Sequence, residues 1–496
     1  MTDHVNGNPV KNGVSGGSCP KDIPMIIGGK DIMGSETFSV CNPVTNETIW
    51  NASGASITEA VSAVETAQAA LPVWAKVKPP ARRDIFLKAA ELFAQRKSDL
   101  AKYQAQETGA DPNFVEWILN LTVDNLKEVA GKCSATGGSV AFSTFEGREA
   151  LYLKEPYGVI LGIAPWNAPF PLGCRAFSYA LAAGNTCILK GSELSPRCYY
   201  AIVDIFRDAG LPDGCLNLVF HRPQDAAEVT NTLIAHPLVK KINFTGSTAV
   251  GAIISATAGR HLKPIITELG GKASAIILKD ANIRKAADAC AVGAFLHAGQ
   301  VCMATERIIV HTSIADSFIE AFKESTTAQF GDESRPQVFV TCAGANKTKS
   351  LVKSALEHGA KVIYGDPQES ITPDLASTTM KPIILTDVKK GSKLYENESF
   401  GPSVALYTFG TEEEALQIAN DTDYGLSGSI FTENMAAGFR VAKGYECGAV
   451  HINSMTIHDE SNLPHGGAKK SGSGKFTGQP GLEEWLRGKI VTYDEV

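Results

Sequence analysis

The sequence predicts two α/β domains, the first built on a doubly wound parallel sheet, and three observations carry that prediction. At 496 residues the chain exceeds what one hydrophobic core supports, since cores stop growing at about 250–300 residues. Between residue 157 and about 280, short apolar runs alternate with helical patterns in a βαβαβα series, which requires parallel strands joined by crossover helices. After ELGGKAS (268–274) the alternation restarts, which marks a second unit.

In the first unit YGVILGIAPWN (157–167) reads as a strand entering a loop, and LGCRAFSYALAAG (172–184) as an amphipathic helix stopped by Gly184. NTCILK (185–190) is the next strand, followed by a helix with Ser195 as N-cap, Pro196 in its first turn and Gly210 as its stop. The strand CLNLVF (215–220), helix DAAEVTNTLIAH (225–236), strand KKINFTG (240–246) and helix STAVGAIISATA (247–258) complete the series. Upstream, residues 53–130 read as mostly helical, most clearly in SITEAVSAVETAQAALPVW (56–74). The second unit holds a helix near 281–297, the strand ERIIVH (306–311), further helices, and strands near KVIYG (361–365) and KPIIL (381–385).

Composition narrows the function classes. Lys and Arg number 46 against 53 Asp and Glu, for a net charge of −7, and no basic stripe interleaved with aromatics occurs, so nucleic acid is not an expected partner. No run approaches the ~18 apolar residues that span a bilayer, so no membrane is expected either. The opening MTDHVNGNPVKNGVSGGSCP has neither an apolar core nor an Arg-rich amphipathic pattern and reads as a disordered tail over 1–22. The closing VTYDEV matches no organelle ending, which leaves the cytoplasm as the expected compartment. Eleven cysteines without a CxxC pair or metal-like cluster fit a reducing compartment, no disulfides and no metal, with Cys187, Cys215 and Cys290 in apolar stretches as buried thiols.

The residues that bear chemistry lie where such sheets gather ligands, at strand ends. Cys302 sits in a Gly-flanked turn after a helix (GQVCMATER, 299–307), Glu268 at a strand end (TELGGKA, 267–273), and Asn167 at the end of the first strand (APWNAPF, 164–170). A lone cysteine is more often a packed thiol, but one accompanied by a carboxylate and an amide has a base and an oxyanion donor at hand. A helix ending near His297 turns its electronegative end toward Cys302 and would raise rather than lower the thiol pKa; His297 itself reads as a packed residue rather than a base. No GxGxxG occurs, and the stretch from Gly246 to Gly251 lacks a P-loop lysine. FTGST nevertheless lies between a strand and a helix, where Gly246 and Ser247 can offer donors to a pyrophosphate.

The segments APWNAP (164–169), KGSE (190–193), FTGST (244–248), ELGGK (268–272), GQVC (299–302), ENESFGP (396–402) and PHGGAKKSG (464–472) resemble, in order, the signature set of the aldehyde dehydrogenase superfamily, over nearly the whole chain after residue 25. Arg175 together with HINSMTIHDESNLPHGG (451–467) resembles the salicylaldehyde, vanillin and benzaldehyde dehydrogenase branch. The resemblance implies that Cys302 attacks an aldehyde, that Asn167 and the Cys302 N–H hold the oxyanion, and that hydride passes to a nicotinamide. Glu268, raised by burial, then activates the water that hydrolyses the thioester. Activation of the thiol falls to the positive nicotinamide ring and to Glu268 acting through water.

It further implies a Rossmann-like cofactor site formed by Ala164, Pro165, Trp166, Lys190, Glu193, Gly246, Ser247, Leu269, Glu398 and Phe400. Lys190 and Glu193 would hold the adenosine ribose, and the Glu193 carboxylate favours NAD while leaving NADP possible. Glu398 and Phe400 would grip the nicotinamide ribose and ring. Phe170, Val301 and Met303, with Trp166, would line a substrate tunnel with Arg175 at its mouth, for an aromatic or conjugated aldehyde. The implied domains are dinucleotide-binding (23–137 and 157–268), catalytic (269–475) and a small β oligomerisation element (138–156 and 476–496) that builds a homodimer or homotetramer. Two departures stand out: His465 replaces the usual Phe of PFGG, and Phe220-His221 replaces the usual Thr-Gly. The competing readings are a CoA-acylating semialdehyde dehydrogenase, opposed by Glu268, and a non-catalytic relative, opposed by the joint presence of Asn167, Glu268 and Cys302.

Overall fold

The computed structural model describes residues 22–332, 337–373 and 377–494; all but the last residue of the expected tail lies outside them. Eight strands form the first sheet, in the spatial order Gly472–Ser473, Ile265–Glu268, Val239–Thr245, Val159–Ile163, Thr186–Lys190, Leu216–Val219, Met25–Ile27 and Lys30–Ile32. The middle five, from Ile265–Glu268 to Leu216–Val219, run parallel. Starting from Val159–Ile163 the chain builds outward through Thr186–Lys190 and Leu216–Val219, then returns to the other side for Val239–Thr245 and Ile265–Glu268. Strand order therefore reverses between Val159–Ile163 and Val239–Thr245, and the crevice at that reversal is where an open α/β sheet receives its ligand.

The sheet closes on its edges with antiparallel strands that the alternation pattern does not reveal: the hairpin Met25–Ile27 and Lys30–Ile32 on one side, and Gly472–Ser473 on the other. The latter corrects the expected domain division. Residues 472–473, assigned to the second unit, return to pair Thr267 with Ser473 and Glu268 with Gly472, covering the outer edge of the strand that ends at Glu268. The helices Ile57–Trp74, Pro79–Gln95, Lys97–Thr108 and Pro112–Lys132 fill 57–132, and the first opens with a capping box in which Ser56 and Glu59 satisfy each other's backbone.

Two expected helices differ. The stretch 172–184 breaks into Pro169–Arg175 and Ser178–Ala182, because the chain at Ala176 lies directly on the strand: a Cβ at Gly162 would sit 2.5 Å from the Ala176 carbonyl oxygen. Ser195 does occupy the N-cap position of Pro196–Asp208, but its hydroxyl makes no capping bond. The buried Glu107 carboxylate caps instead, accepting from the N–H groups of Arg197 at 2.7 Å and Cys198 at 3.0 Å.

The second sheet has seven strands in the order Lys361–Tyr364, Ile383–Thr386, Ser403–Phe409, Thr305–His311, Ala273–Ile277, Ser427–Phe431 and Ala449–Ile452, parallel except for the first. Ile283–Phe295 and Ala315–Phe330 pack one face of it, Glu412–Asn420 and Met435–Gly444 the other. A separate antiparallel sheet joins Ser139–Ala141, Arg148–Pro156 and Leu486–Asp494, and leaves Phe142, Phe145 and Ile490 exposed beside it. Among the described residues no helix is long and apolar enough to cross a membrane, and Cys187, Cys215 and Cys290 are buried free thiols.

Candidate active site

A cavity of about 370 Å³ opens at the strand-order reversal. It is lined by Asn167, Glu268 and Cys302 together, and by all of Ala164, Pro165, Trp166, Lys190, Glu193, Gly246, Ser247, Leu269, Glu398 and Phe400. Ile163 and Phe244, paired across the two strands, stand at the strand ends that lead into Ala164–Asn167 and into Gly246–Ser247.

Cys302 reaches the cavity through an unusual turn. The helix expected to run to His297 stops at Phe295, and His297, Ala298 and Gly299 follow with φ of 52°, 55° and 69°. Non-glycine residues in this region carry strain that only a well-determined surround sustains. His297 is fixed by stacking on Phe114 at 4.6 Å between ring centroids, and burial pushes its pKa down to about 4, so it is a packed neutral ring. Gln300, not singled out from sequence, straps the turn: its amide donates to the carbonyls of His297 (3.1 Å) and Val338 (2.9 Å) and its Oε1 accepts from Val340 N–H (3.1 Å). Its own carbonyl accepts from Asn167 Nδ2 at 3.0 Å, which aims that amide beside the thiol and leaves a second N–H. Gly271 packs on the turn from below, where a Cβ would lie 2.2 Å from the Cys302 carbonyl oxygen.

The thiol pKa is raised well above the ordinary value, first by burial, then by the facing Glu268 carboxylate and by Glu398, with Arg175 acting in the opposite sense. The direction expected from a helix end is found, but burial and carboxylates cause it, since the helix ends earlier. Glu268 is 1% exposed, and the group its carboxylate faces is the Cys302 thiol. Burial raises its pKa, while the Cys302 thiol and Arg175 pull it down and Asp459 pushes it up. A carboxylate so placed is a stronger base than one in water.

On the other arm, Lys190 ends its strand buried, its ammonium pKa lowered by burial and partly restored by Glu193. His221, one of the two departures, lies close to both; burial and Lys190 push it down to about 4, against Glu193. Gly246 is corrected as a pyrophosphate donor, because its N–H already donates to the Glu268 carbonyl at 3.1 Å. The donors that remain at this helix start are those of Ser247 and the first turn of Thr248–Arg260; Ser247 accepts from Val250 N–H and keeps its O–H. Leu269 packs on Gly251, where a Cβ would come within 2.4 Å of it. Glu398 accepts from Gly271 N–H at 2.8 Å, and burial and the neighbouring Glu306 push it up to about 8, opposed by that N–H and by Lys347 and Lys272. The Ser399 N–H, with that of Phe400, donates to the buried Glu306 carboxylate, which is ion-paired with Lys272. This fixes Phe400 at φ 51° with its ring edge-on to Trp166, 5.7 Å away. Lys347, unmarked by any motif, also lines the cavity.

The expected substrate tunnel fares differently. Phe170 is fully buried and packs edge-on against Phe93, a core position set by its place in the helix Pro169–Arg175. Val301 and Met303 are buried in the same core cluster on either side of Cys302. Arg175 is not at a mouth: its guanidinium is buried and ion-paired with Asp459. The two segments that resembled one branch of a family are thus joined in space by that pair.

The aldehyde dehydrogenase family profile matches residues 32–491. Vanillin dehydrogenase of Pseudomonas fluorescens is 39% identical over 95% of this chain and 98% of its own. The structure of a salicylaldehyde dehydrogenase from Pseudomonas putida complexed with salicylaldehyde superposes with a TM-score of 0.91 at 33% identity, covering 95% of this chain and 98% of that one. Betaine aldehyde dehydrogenase of Staphylococcus aureus in complex with NAD+ does so at 0.90 and 29% identity, covering 95% of each. Match, likeness and site converge: the chain belongs to the aldehyde dehydrogenase family and is an aldehyde-oxidising enzyme.

Proposed function

We propose that the protein oxidises an aromatic aldehyde to its carboxylate through a thioester on Cys302, with NAD as the preferred hydride acceptor. The observation that carries this reading is the meeting of Cys302, Glu268 and Asn167 in one cavity whose other arm holds Lys190, Glu193 and a helix start. That arm fits a dinucleotide: first-turn N–H groups suit a pyrophosphate, while the Glu193 and Glu398 carboxylates suit ribose hydroxyls, and Gly270 lets Glu398 in, since a Cβ there would meet its Oε2 at 2.5 Å. When bound, the nicotinamide supplies the hydride acceptor.

The chain's residues do the rest. Cys302 sulfur attacks the aldehyde carbon, and the spare N–H of Asn167 Nδ2 with the Cys302 N–H holds the resulting oxyanion. After hydride loss Glu268 takes a proton from water, which attacks the thioester; sulfur leaves and the carboxylate departs. Vanillin and salicylaldehyde dehydrogenases among the relatives support an aromatic substrate. The test is NADH formation with vanillin, salicylaldehyde, benzaldehyde and hexanal, with NAD or NADP, with and without CoA. Faster turnover of the aromatic aldehydes, independent of CoA, is expected; preference for hexanal or dependence on CoA would overturn it. The exposed three-stranded sheet around Phe142 and Ile490 supports a homodimer or homotetramer.

A further inference from the structure

Gln300 aims the Asn167 amide from the Cys302 side, but the loop 164–167 that carries Asn167 needs a hold of its own. It contains Pro165, which has no N–H and offers the main chain's hydrogen bonding through its carbonyl alone. That carbonyl accepts the Tyr199 hydroxyl at 2.6 Å. Tyr199 is fully buried, and burial pushes its phenol pKa well up, so the hydroxyl stays protonated and donates. The residue belongs to the opening of Pro196–Asp208, the helix that Glu107 caps through the N–H groups of Arg197 and Cys198.

The Tyr199 ring meets two glycines that leave room for it. A Cβ on Gly191, next to Lys190, would come within 2.8 Å of Tyr199 Cγ and 2.6 Å of Phe220 Cε1. A Cβ on Gly173, in the helix that follows Asn167, would come within 2.9 Å of Tyr199 Cε1. Approaches this close need glycine. Phe220, one of the residues in which this sequence departs from the family pattern, thus shares with Tyr199 the space beside Gly191. The chain before Asn167, at Pro165, and the chain after it, at Gly173, both rest on one side chain. Resting on the reading of Asn167 as oxyanion donor, we propose that Tyr199 is a positioning residue for aldehyde oxidation: its hydroxyl holds the Pro165 carbonyl so that Asn167, two residues on, presents its spare amide N–H beside the Cys302 sulfur.

The test is a double-mutant cycle on single-turnover NADH formation, with full-length enzyme and NAD in excess over the best substrate of the aldehyde panel, so that thioester hydrolysis and acid release do not enter. Tyr199→Phe keeps the ring and removes the O–H. It should slow the single turnover about tenfold, while the calorimetric Kd for NAD stays within about twofold of the wild type. Asn167→Ala should slow it on the order of a hundredfold. The double variant should be no slower than Asn167→Ala, because a residue that acts through Asn167 has nothing left to position. A purely structural role would instead penalise both backgrounds, and the losses would multiply. Denaturation midpoints show that folded proteins are being compared. Tyr199→Phe turning over like the wild type, or losses that multiply in the double variant, would overturn the proposal. Asn167→Ala turning over like the wild type would remove the oxyanion reading itself, and the proposal with it.

Discussion

The strand-end arm of the cavity and the region around Arg175 are built on different principles. The first consists of strand ends and a helix start: Ala164 to Asn167 follow one strand, Lys190 another, Gly246 and Ser247 a third. Its residues are placed by topology, so local motifs suffice to find them. Around Arg175 the molecule depends on a side-chain pair between residues from distant segments, Arg175 and Asp459. No local pattern encodes that partnership. Positions fixed by backbone geometry are readable in advance, while those fixed by long-range pairing are not.

The largest expected effect lies at the cavity residues Cys302 and Glu268. Cys302→Ser should lower aldehyde oxidation by on the order of a thousandfold or more while NAD affinity stays within about twofold, since a hydroxyl is a far poorer nucleophile than a thiolate. Steady-state kinetics and calorimetric NAD titration check both halves. Glu268→Gln should slow turnover on the order of a hundredfold yet keep a rapid burst of NADH; loss of the burst would place Glu268 before hydride transfer.

The cavity's lining loop at Glu398 has its own buried support, which sharpens the comparison. Lys272→Met should leave the buried Glu306 without its cation, held only by the Ser399 and Phe400 N–H groups, and cost about 3–5 kcal/mol of stability, seen as a lowered denaturation midpoint and a raised Kd for NAD through release of the loop holding Glu398. If NAD binding is unaffected, Glu306 does not position that loop. Glu107, pushed up to about 7 by burial, gives a pH signature. Its folded pKa is raised, so the folded state binds the extra proton between the unfolded value near 4.5 and about 7, and this group's contribution falls as pH rises through that window. Glu107→Gln should flatten that fall, on the order of 3 kcal/mol across the window, in denaturation curves compared with wild type. The smallest effect is at the rim: Glu193→Ser should reduce kcat/KM with NAD about tenfold and raise the NADP to NAD ratio, through loss of charged hydrogen bonds and of repulsion. An unchanged ratio would move the ribose elsewhere.

Particular residues show where sequence reading stops. The parallel core strands followed from alternation, and Cys302, Glu268 and Asn167 from their strand-end or turn positions; one cavity holds them. The break after Arg175 escaped because it depends on Gly162 one strand away, and the early end of the helix at Phe295 because two non-glycine residues take left-handed backbone that no propensity predicts. Gly246 looked like a donor until pairing with Glu268 used its N–H. Gln300 had a readable place beside Cys302 but an unreadable role, since its three partners come from its own turn and from residues 338–340.

The most direct test of the central claim is to trap the acyl-enzyme. Glu268→Gln, mixed with excess NAD and benzaldehyde and quenched in acid after the NADH burst, should carry a benzoyl adduct on the peptide containing Cys302, in an amount matching the burst. A burst with no adduct on that peptide, or an adduct on another residue, would contradict the account.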